Sequence, residues 1–293
     1  QGITAKRLER STRGLANPAY NNIFYGFENI RIDYTQQCAG DPNACLWYAE
    51  QIHDSLICLA EAVGVIPITN PEAFRQNSTG AMNPDSILSL LDERFGFRVD
   101  FPNPYKDEFG LETSRGVAGY RSIQALWQAW RIVENLRRPA DSHVLEIGAG
   151  LGRTAYYATK FGIPAYTIVD LPFTAISSAY YLGCTLGEEN IKLSGEFEAA
   201  ASIRIVSPET FLNGNFKFDF IANFDSFTEI DKWMATQYWN QIFRQSPIFL
   251  SINHEVNSFR VADFYLPRPD VYKVNRHPCW LRRGYVEEIV RLS

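Results

Sequence analysis

His254 and Glu255 stand just beyond a short apolar run, Pro247 to Ile252, and Asp225 stands just beyond another, Phe218 to Phe224. Apolar runs of this length read as buried strands, and in an open α/β sheet ligands bind outside the carboxyl ends of the strands. An imidazole placed there can take a proton near neutral pH, with the neighbouring Glu255 carboxylate holding its tautomer. Asp225 suits either the orientation of an acceptor or the binding of a divalent cation such as Mg2+. Asp231 and Thr228, a few residues on, read as caps for a helix starting near Lys232. His53, His143 and His277 lack a comparable position.

A second group of residues points to a nucleotide-type ligand. Val144, Leu145 and Ile147 fit a buried parallel strand, and Gly148, Gly150 and Gly152 follow at alternate positions. Such a turn lets backbone amides approach a ligand where a Cβ would collide. Asp170 closes the next apolar run, Ala165 to Val169, where its carboxylate can accept hydrogen bonds from a ribose diol. A third run ends at Ser207, whose hydroxyl or backbone is placed to meet an adenine ring.

The glycine spacing selects among cofactors. A dinucleotide fingerprint wants Gly-x-Gly-x-x-Gly, and its third glycine would fall on Arg153. The string found, Glu146-Ile147-Gly148-Ala149-Gly150-Leu151-Gly152, resembles the first motif of class I S-adenosylmethionine-dependent methyltransferases. The resemblance implies that Gly148, Ala149, Gly150 and Gly152 meet the methionine part of the cofactor, with Glu146 close to its ammonium group.

Those residues need a particular frame. Strands are expected at 143–147, 165–170, 202–206, 217–224 and 247–253, and helices near 153–161, 173–186 and 232–244. Their alternation predicts an α/β fold with a doubly wound, Rossmann-like, mainly parallel sheet, and Tyr285 to Val290 reads as an antiparallel closing strand. Upstream, apolar residues recur at helical spacing from Ala44 to about Val63, and a second helix begins near Pro84-Asp85, with Asp85 as its cap, and ends before Gly96. Ile123, Leu126, Trp127, Trp130, Val133 and Leu136 form one stripe of a helix over Tyr120 to Arg137. Residues 1–40 read as an irregular arm. The expected organisation is a mainly helical lid and substrate region over 1–139, followed by a methyltransferase core over 140–293.

Composition sets bounds. The 293 residues are 46% hydrophobic with a net charge of −5, which fits a folded chain and argues against a broad basic face for nucleic acid. Five scattered cysteines without a Cys-x-x-Cys pair read as a reduced, cytoplasmic protein, a Cys38–Cys45 disulfide being the alternative. No apolar run approaches the ~20 residues of a membrane span, and the amino end lacks the apolar core of a signal peptide. The start at Gln1 fits a trimmed chain or a segment of a longer biosynthetic protein.

A finer likeness covers roughly Thr113 to the C-terminus. The strings Thr113-Ser114-Arg115-Gly116 with Tyr120-Arg121, Asp170-Leu171-Pro172, Asn223-Phe224-Asp225-Ser226, Asn253-His254-Glu255 and Trp280 to Tyr285 resemble the sugar O-methyltransferases, bacterial enzymes of polysaccharide and glycan decoration. That resemblance implies methyl transfer from S-adenosyl-L-methionine to a hydroxyl of a sugar or glycan precursor. His254 is then the general base, Asp225 and Glu255 its catalytic neighbours, and Leu171 and Asn223 further cofactor contacts. Arg115, Tyr120 and Arg121 would meet the acceptor, and the chain could act as a homo-oligomer. Another small acceptor (a phenol, phosphate or natural product), a nicotinamide oxidoreductase and a non-catalytic cofactor-binding module are the competing readings.

Overall fold

The computed structural model describes residues 41–68, 82–105, 110–196 and 202–292. The irregular arm expected over 1–40, and with it Cys38, lies outside the described residues; no disulfide joins Cys45, Cys58, Cys184 and Cys279 to one another. The chain divides into two compact units between Gln124 and Ala125. The expected boundary at 139/140 lies one helical segment further on.

In the first unit, α1 (Pro42–Ala62) is capped by the Asp41 carboxylate, which accepts the Asn43 N–H. It buries Ile52, Leu56 and Leu59 as its apolar spacing requires. Helix α2 (Pro84–Phe95) is capped by Asn83, not by Asp85 as the sequence suggested. Proline at the first helical position fixes the entry so that the residue before it becomes the cap. Asp85 instead accepts from the backbone and hydroxyl of Ser114. Two short antiparallel strands, β1 (Leu111–Thr113) and β2 (Gly116–Ala118), follow. Helix α3 (Tyr120–Asn135) then carries the chain across the division.

The second unit holds the sheet. Its elements after α3 are β3 (His143–Ile147), α4 (Arg153–Lys160), β4 (Ala165–Val169), α5 (Pro172–Leu186), β5 (Ile191–Leu193), β6 (Ile203–Val206), α6 (Pro208–Asn213), β7 (Phe220–Phe224), α7 (Lys232–Gln245), β8 (Ile248–His254), α8 (Ala262–Tyr265), β9 (Val271–Pro278) and β10 (Tyr285–Leu292). The strand order is β5-β6-β4-β3-β7-β8-β10-β9, parallel from β5 to β8, with β10 antiparallel between β8 and β9. This is a doubly wound, Rossmann-like α/β sheet.

Burial on both faces explains the apolar runs: every residue of β7 is buried. One face packs on α7 through Leu145, Ile147, Ile221 and Phe249 against Ala235, Trp239 and Ile242. Glu287, on the other face, receives hydrogen bonds from Trp127 and Arg131 of α3. Strand β9 escaped the sequence reading because an edge strand with most side chains exposed carries no apolar pattern.

Candidate active site

The glycine loop runs from the end of β3 into α4 with Gly148, Gly150 and Gly152 at φ 72°, 59° and 83°. Two of these glycines answer to the protein's own packing. A Cβ on Gly148 would lie 2.2 Å from Ser226 Oγ, and one on Gly152 would lie 2.8 Å from Leu182 Cδ1. The loop therefore abuts the turn that follows β7, because Ser226 is the next residue after Asp225.

Asp170 ties the loop to the neighbouring strand. Its carboxylate accepts the Gly150 N–H at 3.2 Å and the Leu171 N–H at 2.8 Å. Burial lifts its pKa to about 6 against the opposing pull of these amides. Glu146 lies deeper, 2% exposed, and accepts the Tyr166 hydroxyl at 2.8 Å. Burial pushes it up to about 8, with the Asp170 charge adding to the shift.

The carboxyl ends of β7 and β8 carry a connected cluster. Asp225, the one non-glycine residue with positive φ among those described, sits at φ 58°. Its carboxylate is gripped at both oxygens, by Arg282 at 2.6 Å and by the Tyr285 hydroxyl at 2.6 Å. Arg282 also stacks over the Tyr285 ring at 3.5 Å. His254 packs edge-on to Tyr285, its partner in the β8–β10 register, at 5.4 Å between centroids. Its Nε2 faces Glu229 Oε1 at 3.8 Å, and its buried Nδ1 has no hydrogen-bond partner among the described residues.

The structure redistributes several expected roles. Glu255 pairs with Arg276 at 2.8 Å, so the carboxylate facing His254 is Glu229. Glu255 lies just past the end of β8, in a bend, where its carboxylate reaches Arg276 of β9 instead of His254. Asn223 is fully buried: its amide nitrogen donates to the Ile147 carbonyl and Ser226 Oγ, and its oxygen accepts from Phe227 and Asn253. It ties the ends of β3, β7 and β8 together. Ser207 caps α6 by accepting the Thr210 N–H at 3.2 Å. Asp231 caps α7 as expected, whereas Thr228 is buried in a short 3-10 turn. Arg115, Tyr120 and Arg121 belong to the first unit, where Arg115 is bound to Asp92 at 2.6 Å.

A metal fits poorly here. Asp225, Glu229 and His254 bring one ligand atom each within 4.8 Å of the others. Magnesium, though, prefers an octahedron of oxygens, and the Arg282 guanidinium already serves Asp225 as counter-ion. The loop and Asp170 do fit an S-adenosyl group: a left-handed glycine turn and a carboxylate meet at adjoining strand ends, as a nucleoside with a polar tail requires.

Sequence reasoning passed over Glu229, Arg282 and Tyr285. A signal existed for the last two, which stand in the Trp280 to Tyr285 string, but nothing local ties that string to Asp225.

No protein-family model matches the chain, and no curated protein does. Solved structures align with part of the chain at low identity and with TM-scores below 0.5. Magnesium protoporphyrin IX methyltransferase from Synechocystis is 11% identical, with a TM-score of 0.43 over 59% of this chain and 80% of that one. A ribosomal protein L11 methylase from Lactobacillus delbrueckii is 11% identical, at 0.43 over 67% and 90%. An O-methyltransferase family protein from Burkholderia thailandensis is 15% identical, at 0.41 over 59% and 57%. No described helix is long and apolar enough to cross a membrane.

Proposed function

We propose that this chain is an S-adenosylmethionine-dependent O-methyltransferase acting on a hydroxyl of a sugar or glycan precursor. The observation that carries the reading is the abutment of two groups. The glycine loop packs on Ser226 through Gly148, and Asp225 beside it shares the Tyr285 side chain with His254. A methyl donor held by the loop and Asp170 would thus lie near His254, whose Nε2 is edged by Glu229 at 3.8 Å. The cofactor would supply an electrophilic sulfonium methyl.

His254 takes the proton of the attacking hydroxyl as the new O–CH3 bond forms and the S–CH3 bond breaks, leaving a neutral thioether. Glu229 stabilises the imidazolium across 3.8 Å. Asp225, fixed by Arg282 and Tyr285, presents its remaining lone pairs to a neighbouring hydroxyl of the acceptor. The Asn253-His254-Glu255 and Asn223-Phe224-Asp225-Ser226 strings support the sugar as acceptor through their family resemblance.

The test is His254→Ala assayed for methyl transfer to a panel of nucleotide sugars, with S-adenosylhomocysteine affinity read by calorimetry. Turnover should fall by about 10²–10⁴-fold while cofactor affinity stays near wild type. Equal loss of both would overturn the assignment of the base.

A further inference from the structure

Among the described residues, the sheet face that packs on α7 is not covered along its whole width. Beyond Leu145 the packing gives way to a cavity of about 560 Å³, open to solvent on one side. The connection from β6 to β7 explains it: α6 has only six residues and leads into an irregular stretch through Phe216. No helix long enough to cover the outer strands lies in that connection.

The floor of this cavity is a row of residues side by side across four strands. The register places Leu145 next to Thr167, Thr167 next to Arg204, and Arg204 next to Lys192. Neighbours in register share a face, so two cations and a hydroxyl line up beside an apolar wall. Phe216 and Phe218, in ring contact at 5.9 Å, form that wall.

The described lining carries two cations, Lys192 and Arg204, against one carboxylate, Glu196. Among the described residues neither Lys192 nor Arg204 has an acid partner. Glu196, the one acid in the lining, accepts the Leu193 backbone N–H. His143 bonds to Thr167 Oγ1 at 2.8 Å, and burial and Arg204 both push its pKa down. A guanidinium and an ammonium side by side repel unless an anion joins them. A lone lysine on an edge strand serves to prevent strand pairing, but Arg204 stands one strand inward, on β6.

We propose that this cavity is a second binding site, for a small organic anion whose phosphate or carboxylate meets Arg204 and Lys192 and whose flat apolar body lies against Phe216 and Phe218. It shares no residue with the glycine loop or the Asp225 cluster. The volume falls in the range of ordinary small-molecule sites.

The experiment is calorimetric titration of the full chain with phenyl phosphate and with benzoate, with benzyl alcohol as the neutral control. At least one anion should bind saturably and about tenfold or more tighter than the alcohol, the preferred one identifying the acidic group. Saturating S-adenosylhomocysteine should leave that affinity unchanged, and Arg204→Gln combined with Lys192→Gln should lower it by about tenfold or more. Should that double variant unfold, Phe216→Ala at an exposed ring gives the same reading by weakening both anions. Absence of saturable binding, affinity indifferent to these substitutions, or displacement by S-adenosylhomocysteine would each overturn the site.

Discussion

Gly148 and Gly150 share a left-handed backbone, and Gly148 is also closed in by Ser226. A Cβ at 148 meets Ser226 as well as an unfavourable φ, so Gly148→Ala should cost about 2–4 kcal/mol of stability. At Gly150 the left-handed φ predicts a strain cost of about 1 kcal/mol or more, with a loss in S-adenosylhomocysteine affinity. Urea denaturation and calorimetry on both variants check this; unchanged stability of Gly148→Ala would contradict the Ser226 contact. The same glycines were legible in the sequence as a tight strand-to-helix turn. Their reasons were not, because Ser226 and Leu182 reach the loop from other elements.

Among the elements, α7 shows how a polar cluster at a strand end divides between structure and chemistry. Asp231 accepts the Trp233 N–H at 2.9 Å and the Met234 N–H at 3.4 Å, satisfying backbone donors that the first turn leaves open. Asp231→Ala should therefore lower stability by about 1 kcal/mol in urea denaturation and leave cofactor affinity alone. A loss of affinity instead would give Asp231 a place in the site. Strand β10 has the opposite character: its antiparallel insertion between β8 and β9 puts Tyr285 beside His254. Local pattern predicted a closing strand there but could not give its neighbours, since pairing is decided by the partner strands.

Over the whole second unit, buried charge sets two further expectations. Glu287 is fully buried, and its cation is Arg131 at 2.7 Å, with Trp127 and His277 as weaker neighbours at 3.3 and 3.6 Å. Arg131→Met would strand that carboxylate, at a cost of about 3 kcal/mol, and adding Glu287→Leu should recover most of it. Failure of the second substitution to rescue would show that the pair holds α3 by more than charge. Glu146 and Asp170 govern the pH response. Both are protonated more readily in the folded chain, at about 8 and about 6, than in the unfolded one. The folded state thus binds more protons across that interval, and stability falls as pH rises. The contribution is full below about pH 4 and is lost as pH climbs through 6 and then 8. Urea midpoints between pH 5 and 8 should decline, and Glu146→Gln should flatten the upper part; a flat wild-type profile would contradict the burial of Glu146.

The sequence by itself determined the parallel strands, the glycine turn and the strand-end positions of Asp170, Asp225 and His254. Continuous apolar runs, glycine and helix caps are local signals, and β3 falls on 143–147 as its run of residues requires. The tertiary structure decided which side chains meet. Asp225 is gripped by residues 57 and 60 positions further along the chain, and Glu229 rather than Glu255 faces His254. Contacts of that kind follow from the order in which strands assemble, which no short stretch of sequence encodes.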